Sequence, residues 1–149
     1  MSKIIDGVYL GSVDDVMNTT WLYNNNISII FNVAIELNCF NIKYQDGREI
    51  ICIKCPMYDS PEQSLMKCIN MGILLINRCL KENKNILVHC YAGISRSASI
   101  IIAFLMNHYK ISFNDSFLYV KTKRPIINPN SGFTNQLQKY ESIIQNLTL

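Results

Sequence analysis

One short stretch of the chain, residues 86–106, combines a nucleophile with groups that bind anions. The apolar run 86–88 predicts a buried strand, and the apolar segment 97–106 predicts a buried helix. Cys90 therefore lies in a strand-to-helix loop, where backbone N–H groups and the positive helix end form an anion site that favours a thiolate. Arg96 adds a planar fork of donors for two phosphate oxygens. This combination points to phosphoryl transfer onto a cysteine.

The same stretch resembles the His-Cys-x5-Arg-Ser/Thr signature of the cysteine-dependent protein phosphatases. Its fuller form, His89-Cys90-x-Ala92-Gly93-x-Ser95-Arg96-Ser97, is similar to the dual-specificity branch. The opening half, with Tyr9-Leu10-Gly11 and Ile30-Phe31-Asn32-Val33, and a run from Lys123-Arg124-Pro125 to Gln136-Leu137 also resemble the family, so the similarity covers nearly the whole chain. The resemblance implies a metal-independent hydrolase, without a cofactor, that acts on phosphotyrosine and on phosphoserine/threonine of proteins.

The surrounding elements must hold this loop in place. Strands are predicted at 4–12, 27–33, 42–44, 49–53 and 86–88, with a turn at Asp46-Gly47. Helices are predicted at 12–23, 97–106 and 112–123 and after residue 130. Another helix is predicted to follow the Pro-containing loop 55–62 and to end near residue 80. This alternation favours a three-layer α/β sandwich, with a mostly parallel central sheet and helices on both faces. The length, 149 residues, predicts a single domain over 1–149.

The chemistry assigns roles within the loop. Cys90 is the predicted nucleophile, and the N–H groups of residues 91–96 with the Arg96 side chain are the predicted phosphate donors. The residues expected to bind the substrate phosphate are Tyr91, Ala92, Gly93, Ile94, Ser95 and Arg96. His89 is expected to fix the shape of the loop, since a thiolate needs no base. Ser97 is expected to donate to the Cys90 sulfur, and it is also a plausible helix cap.

A leaving alkoxide or phenolate needs a general acid. The resemblance places an aspartate in a loop upstream of the cysteine, and Asp59 occupies that place. Its alternative interpretation is an Asp-Ser-Pro turn. Asp46 and Asp115 are weaker candidates, because a turn and a helix start already explain them. Tyr58 and Tyr91 are expected to flank the pocket mouth, and Asn130 to brace the active loop.

Two other functions remain open from the sequence: an RNA 5′-phosphatase on the same scaffold and a catalytically silent module that binds phosphoproteins. The net charge of +3 suits acidic phosphorylated partners but is too weak to argue for nucleic acid. No apolar run is long enough to span a membrane, and neither end carries a lipidation motif. We expect a monomer without a membrane anchor.

The six cysteines are not expected to form a disulfide framework. Cys68 and Cys79 fall in a helical apolar pattern and are expected to be small core residues. Cys52 and Cys55 have the spacing of half a zinc site, but no partner ligands follow, so no metal is predicted. A free nucleophilic thiol favours a cytoplasmic or nuclear setting. An alternative left open is that Cys52 or Cys55 protects oxidised Cys90 as a disulfide, if their strand lies beside the central one.

Overall fold

The computed structural model describes residues 1–147, and in this range six strands form one sheet in the order β1-β2-β6-β3-β5-β4. The strands are β1 (Ser2–Ile5), β2 (Val8–Gly11), β3 (Ile27–Ala34), β4 (Ile42–Lys43), β5 (Glu49–Met57) and β6 (Asn85–His89). The four central strands, β2, β6, β3 and β5, pair in parallel, and the edge strands β1 and β4 pair antiparallel with β2 and β5. The prediction of a mostly parallel sheet is therefore confirmed.

Helices cover both faces of the sheet, as predicted. They are α1 (Val13–Met17), α2 (Thr19–Asn24), α3 (Met66–Lys81), α4 (Arg96–Tyr109), α5 (Phe113–Lys123) and α6 (Ser131–Leu147). Successive side chains of a strand point to opposite faces. Thus Ile86 and Val88 of β6 join the large core that includes residues of α3 to α6, whereas Leu87 joins a smaller core with Leu22 of α2.

The central strand β6 and helix α4 fix the two ends of the loop between them. The strand has a parallel neighbour on each side, β2 and β3. Every residue of α4 from Arg96 to Met106 is buried, with α3, α5 and α6 packed against the helix. The elements predicted around Cys90 are therefore present and lie at the centre of the fold. The predicted absence of a lipidation motif at the C-terminal end concerns residues 148–149 in part, and these two residues lie outside the described range.

Local sequence effects divide elements that we predicted as continuous. The strand predicted over 4–12 is a hairpin, because Gly7 adopts φ +87° and reverses the chain between β1 and β2. The helix predicted over 12–23 breaks at Asn18, whose side chain accepts the Trp21 N–H at 3.1 Å and so caps α2. Strand β5 continues to Met57, where a loop was predicted.

The expectation about the cysteines is wrong for four of the six. Cys39 pairs with Cys52, and Cys55 pairs with Cys68, with Cα–Cα distances of 5.6 and 5.8 Å. Cys68 is buried as predicted but is bonded rather than free, whereas Cys79 and Cys90 are free and buried. A pairing of Cys52 or Cys55 with Cys90 is also contradicted, because β3 separates β5 from β6. No helix within residues 1–147 has the length and apolarity to cross a membrane.

Candidate active site

The thiol of Cys90 lies inside the turn that follows β6. The residue is 2% exposed, and its Sγ accepts the backbone N–H of Gly93 at 3.3 Å. The hydroxyl of Ser97, in the first turn of α4, lies 3.1 Å from the same sulfur. The sulfur thus has a backbone donor and a hydroxyl within hydrogen-bond reach.

Every backbone carbonyl of the loop has a hydrogen-bond donor. Of the six consecutive carbonyls from Cys90 to Ser95, the middle four accept from remote segments, the first from the adjacent His89 ring and the last from within α4. The donors are, in order, His89 Nδ1 (3.1 Å), Val13 N–H (2.9 Å), Arg124 Nη2 (3.2 Å), Arg124 Nε (2.8 Å), Asn128 N–H (2.8 Å) and Ser99 N–H (2.9 Å). In a trans peptide the N–H points opposite to the carbonyl, and the described residues contain no cis bond. The N–H groups of residues 91–96 therefore point away from these donors.

Gly93 occupies a point of the loop that requires glycine. Its φ of +68° lies in the left-handed region, and a Cβ on it would stand 2.6 Å from both the Gly11 carbonyl oxygen and Arg124 Nη2. The loop backbone thus packs directly against the end of β2 and a second arginine.

Arg96 is buried at the start of α4, with 6% of its surface exposed. Its Nη1 and Nη2 each lie 2.6 Å from one carboxylate oxygen of Glu36, and Nη1 also donates to the Met57 carbonyl at 3.1 Å. Its Nε is buried and has no partner within residues 1–147, which is rare for a buried donor. Held from one side by Glu36, the guanidinium has a donor available for an anion.

Charges near Arg96 act on one another. Burial by itself lowers the pKa of Arg96, but the Glu36 hydrogen bond and the charges of Cys90, Glu36 and Asp59 raise it overall. In return, the hydrogen bond from Arg96 lowers the pKa of Glu36 below its ordinary 4.5. Arg96 therefore lies within electrostatic reach of both the predicted nucleophile and the predicted acid.

Asp59 is exposed in the loop between β5 and α3. Its Oδ1 accepts a hydrogen bond from the Asn130 side chain at 2.9 Å, and the backbone N–H of Asn130 donates to Ser95 Oγ at 3.0 Å. Asn130 thus connects the acid loop to the cysteine loop. The Cys55–Cys68 disulfide closes the chain segment that carries Asp59.

His89 is 2% exposed, and burial lowers its pKa below the ordinary 6.5. Its Nδ1 faces the Cys90 carbonyl oxygen, which only accepts, so Nδ1 carries the proton of a neutral ring. At the surface, Tyr58 and Tyr91 are 61% and 56% exposed, and Ala92 is also exposed. Ile94 is half-buried and Ser95 is buried.

Sequence reasoning missed two contributors to this site, Glu36 and Arg124. Glu36 lies just beyond the carboxyl end of β3, on a turn that buried Asn32 holds by accepting the Ala34 N–H at 2.9 Å and donating to the Leu37 carbonyl at 3.1 Å. Polar residues at the carboxyl ends of adjacent parallel strands converge, and this was the available signal for Glu36. Arg124 was noted only as part of a family motif.

Comparison with known proteins agrees with this architecture. The family model for the catalytic domain of dual specificity phosphatases matches residues 8–143. The chain is 33% identical over 140 residues to Dual specificity protein phosphatase 22 of Xenopus laevis, covering 94% of this chain, and 32% identical over 151 residues to tyrosine-protein phosphatase vhp-1 of Caenorhabditis elegans, covering 97%. The crystal structure of DUSP15 superposes with a TM-score of 0.88 at 33% identity, over 99% of this chain and 91% of that one.

The chain belongs to the dual specificity phosphatase family. The predicted family and the predicted fold class are thereby confirmed. The chain spans 64% of the Xenopus relative and 22% of the Caenorhabditis relative. The extent of the predicted single domain, 1–149, stays a prediction.

Proposed function

We propose that this protein hydrolyses phosphate monoesters on phosphotyrosine and phosphoserine/threonine of proteins, through a phosphocysteine intermediate. The observation that carries the proposal is the orientation of the loop around Cys90: six consecutive carbonyls have hydrogen-bond donors within the protein, and the N–H groups of residues 91–96 point away from those donors. Preorganised donors of this kind stabilise the charge of a transferring phosphoryl group.

In the first step the Cys90 thiolate attacks phosphorus, and a P–S bond forms as the P–O bond to the leaving group breaks. Asp59 gives its proton to the leaving oxygen. In the second step Asp59 takes a proton from water, the water oxygen bonds to phosphorus, and the P–S bond breaks. Ser97, 3.1 Å from the sulfur, stabilises the departing thiolate. Inorganic phosphate and the starting enzyme result.

The bound phosphoryl group is held by Arg96 together with the backbone from Tyr91 to Ser95. The buried Nε of Arg96 supports this role, because it has no partner within residues 1–147, whereas both N–H groups of Nη1 and one of Nη2 bond to Glu36 and Met57. His89 and Asn130 support the loop from behind. The exposed Tyr58 and Tyr91 contact the residues that flank the phosphate in the substrate.

The test is hydrolysis of p-nitrophenyl phosphate and of phosphotyrosine and phosphothreonine peptides in EDTA. Cys90→Ser is expected to abolish turnover. Cys79→Ser is the matched control, since Cys79 is also a free buried cysteine, and burial raises the pKa of its thiol to about 11. Full activity in Cys90→Ser would refute the mechanism. Peptide binding without turnover would favour the silent module, and preferential hydrolysis of triphosphate-ended RNA would favour the RNA phosphatase.

A phosphorylated protein is the proposed partner, and the active form is proposed to be a monomer. A cytoplasmic or nuclear location suits the free thiol of Cys90, whereas two disulfides are unusual in reducing compartments. Cell fractionation, followed by mass spectrometry of the unreduced protein, tests location and pairing together. Recovery only from an oxidising compartment would overturn the proposed location.

A further inference from the structure

Arg124 follows α5 and lies behind the cysteine loop, on the side opposite to the loop N–H groups. Its Nε donates to the Gly93 carbonyl at 2.8 Å and its Nη2 donates to the Ala92 carbonyl at 3.2 Å. Its Nη1 donates to Ser2 Oγ at 3.2 Å. All three nitrogens thus have partners within the protein, so this guanidinium differs from that of Arg96, whose Nε has no partner in the described part of the chain.

We propose that Arg124 is a positioning residue, which fixes two successive peptide groups of the phosphate loop. The first, Ala92–Gly93, has its carbonyl bonded to Nη2, and its N–H donates to Cys90 Sγ at 3.3 Å. The second, Gly93–Ile94, has its carbonyl bonded to Nε. Because each peptide is planar, holding the carbonyl also sets the direction of the N–H. Arg124 therefore acts on the sulfur and on the phosphate without touching either.

The residue at position 124 must fix the backbone conformation at Gly93. Gly93, with φ +68°, is the most permissive point of the loop, since glycine has access to backbone conformations that other residues avoid. A charged, planar fork with two parallel donors fixes two carbonyls at once, and it stays protonated at every working pH. A lysine has a single point charge and cannot reproduce this geometry.

The proposal rests on the proposed function, and two kinds of readout separate them. Arg124→Met is expected to lower kcat on p-nitrophenyl phosphate and on phosphopeptides by the same factor, about ten- to a hundred-fold, because the misplaced donors serve every substrate. Arg124→Lys is expected to recover little of this loss. Lys123→Met is the control, since it removes the adjacent cation, which lies 5.5 Å from the Tyr119 ring centroid.

Two further measurements do not need turnover: the rate of Cys90 alkylation by iodoacetamide at neutral pH, and protection of that reaction by inorganic phosphate. Both the alkylation rate and the protection by phosphate are expected to fall in Arg124→Met and Arg124→Lys. The alkylation rate should fall by about fivefold, because about one hydrogen bond to the thiolate is lost. Thermal unfolding of each variant identifies any loss of the fold. If Arg124→Met does not fold, the same measurements are made on Arg124→Lys.

Three outcomes would overturn the proposal. Full recovery by lysine would show that charge, not geometry, is what Arg124 supplies. A loss confined to phosphopeptides would show direct contact with substrate. Unchanged alkylation and unchanged phosphate protection would show that the loop does not depend on Arg124. If the wild-type chain binds phosphate but hydrolyses nothing, the proposed function fails and these binding measurements still decide the role of Arg124.

Discussion

Glu36 and Arg96 form a two-pronged ion pair, with both N–O distances 2.6 Å, between the turn after β3 and the first turn of α4. The arginine is almost fully buried and the glutamate is partly exposed. Such a fork fixes the plane of the guanidinium as well as its position. The carboxylate thereby determines which edge of Arg96 is left for the proposed phosphate.

Replacing the carboxylate tests this arrangement. Glu36→Gln keeps the shape of the side chain but removes one acceptor and the charge, so Arg96 is less well oriented. We expect kcat/KM to fall by about ten- to a hundred-fold on both small and peptide substrates. Steady-state kinetics with the control Glu49→Gln, a change at an exposed carboxylate on the amino end of β5, measure the effect. Equal activity in the two variants would show that Arg96 needs no partner.

The contrast between Glu36 and Cys90 also explains how far the sequence predicts this site. Cys90, Gly93 and Arg96 are neighbours in the chain, so a local pattern contains the proposed nucleophile, the turn and the cation. Glu36 and Arg124 belong to remote segments, and their contribution depends on the order of β3 beside β6 and on the packing of α5. The disulfides also depend on tertiary placement, because cysteine spacing alone does not determine pairing. The sheet and most helices, by contrast, follow from apolar periodicity.

Burial of His89 makes the fold sensitive to mild acid. Its pKa is lowered in the folded protein, so the unfolded chain binds the proton more readily. The resulting stability is complete above the ordinary pKa of 6.5 and is lost as the pH falls from 6.5 through the lower folded value. We expect the free energy of unfolding to decrease by up to about 1.4 kcal/mol per pH unit in this window. Urea unfolding at pH 7.5 and at pH 5.5 measures it.

His89→Asn removes the titrating ring and keeps a side-chain donor near the Cys90 carbonyl. Its stability is expected to be lower than that of the wild type at pH 7.5 but to change less between the two pH values. Identical pH dependence in both proteins would contradict the assignment of a buried neutral histidine.

Asn130 offers a selective way to disturb the acid loop. Its Oδ1 accepts the Phe133 N–H at 2.9 Å at the start of α6, and its Nδ2 donates to Asp59 at 2.9 Å. Asn130→Asp keeps the helix cap but replaces the donor with a negative charge facing Asp59. We expect the fold to be retained and the loss of kcat to be greater for substrates with poor leaving groups, which most need a proton. A plot of log kcat against leaving-group pKa measures this slope.

Asp59→Asn gives the largest change of slope expected in that plot, because it removes the proposed acid itself. Asn130→Asp is expected to shift the slope in the same direction by a smaller amount. A uniform loss across all leaving groups would instead indicate that Asn130 acts through Ser95 and the phosphate loop.

Ser97 is expected to matter in the second chemical step. Its hydroxyl is fully buried and 3.1 Å from the Cys90 sulfur, where we propose that it stabilises the thiolate departing from phosphocysteine. Ser97→Ala should slow breakdown of the intermediate by about tenfold, since a hydrogen bond to a charged group is lost. Rapid-quench kinetics should then show a burst of p-nitrophenol and a trapped phosphoenzyme. Ser116→Ala, at a buried hydroxyl bonded to the Ile102 carbonyl, is the control and should show neither.

The Cys55–Cys68 disulfide is expected to stabilise the protein through its unfolded state. The bond joins β5 to the first turn of α3 across 13 positions of sequence. Closing a loop of about this length restricts the unfolded chain by about 3 kcal/mol. The double variant Cys55→Ala/Cys68→Ala should lose about that much unfolding free energy relative to the oxidised wild type, and much less relative to the fully reduced wild type. Urea unfolding with and without a dithiol reductant measures both differences.

Cys79→Ala provides the control for that comparison, because it removes a buried sulfur that is not bonded to another. Its loss of stability should be the same with and without reductant, since the only cause is the cavity left by the missing sulfur. Mass spectrometry of the denatured, unreduced protein should find alkylation at Cys79 and Cys90 alone. Alkylation of all six cysteines, or a reductant-independent loss in the double variant, would show that the pairing of Cys55 with Cys68 does not stabilise this fold.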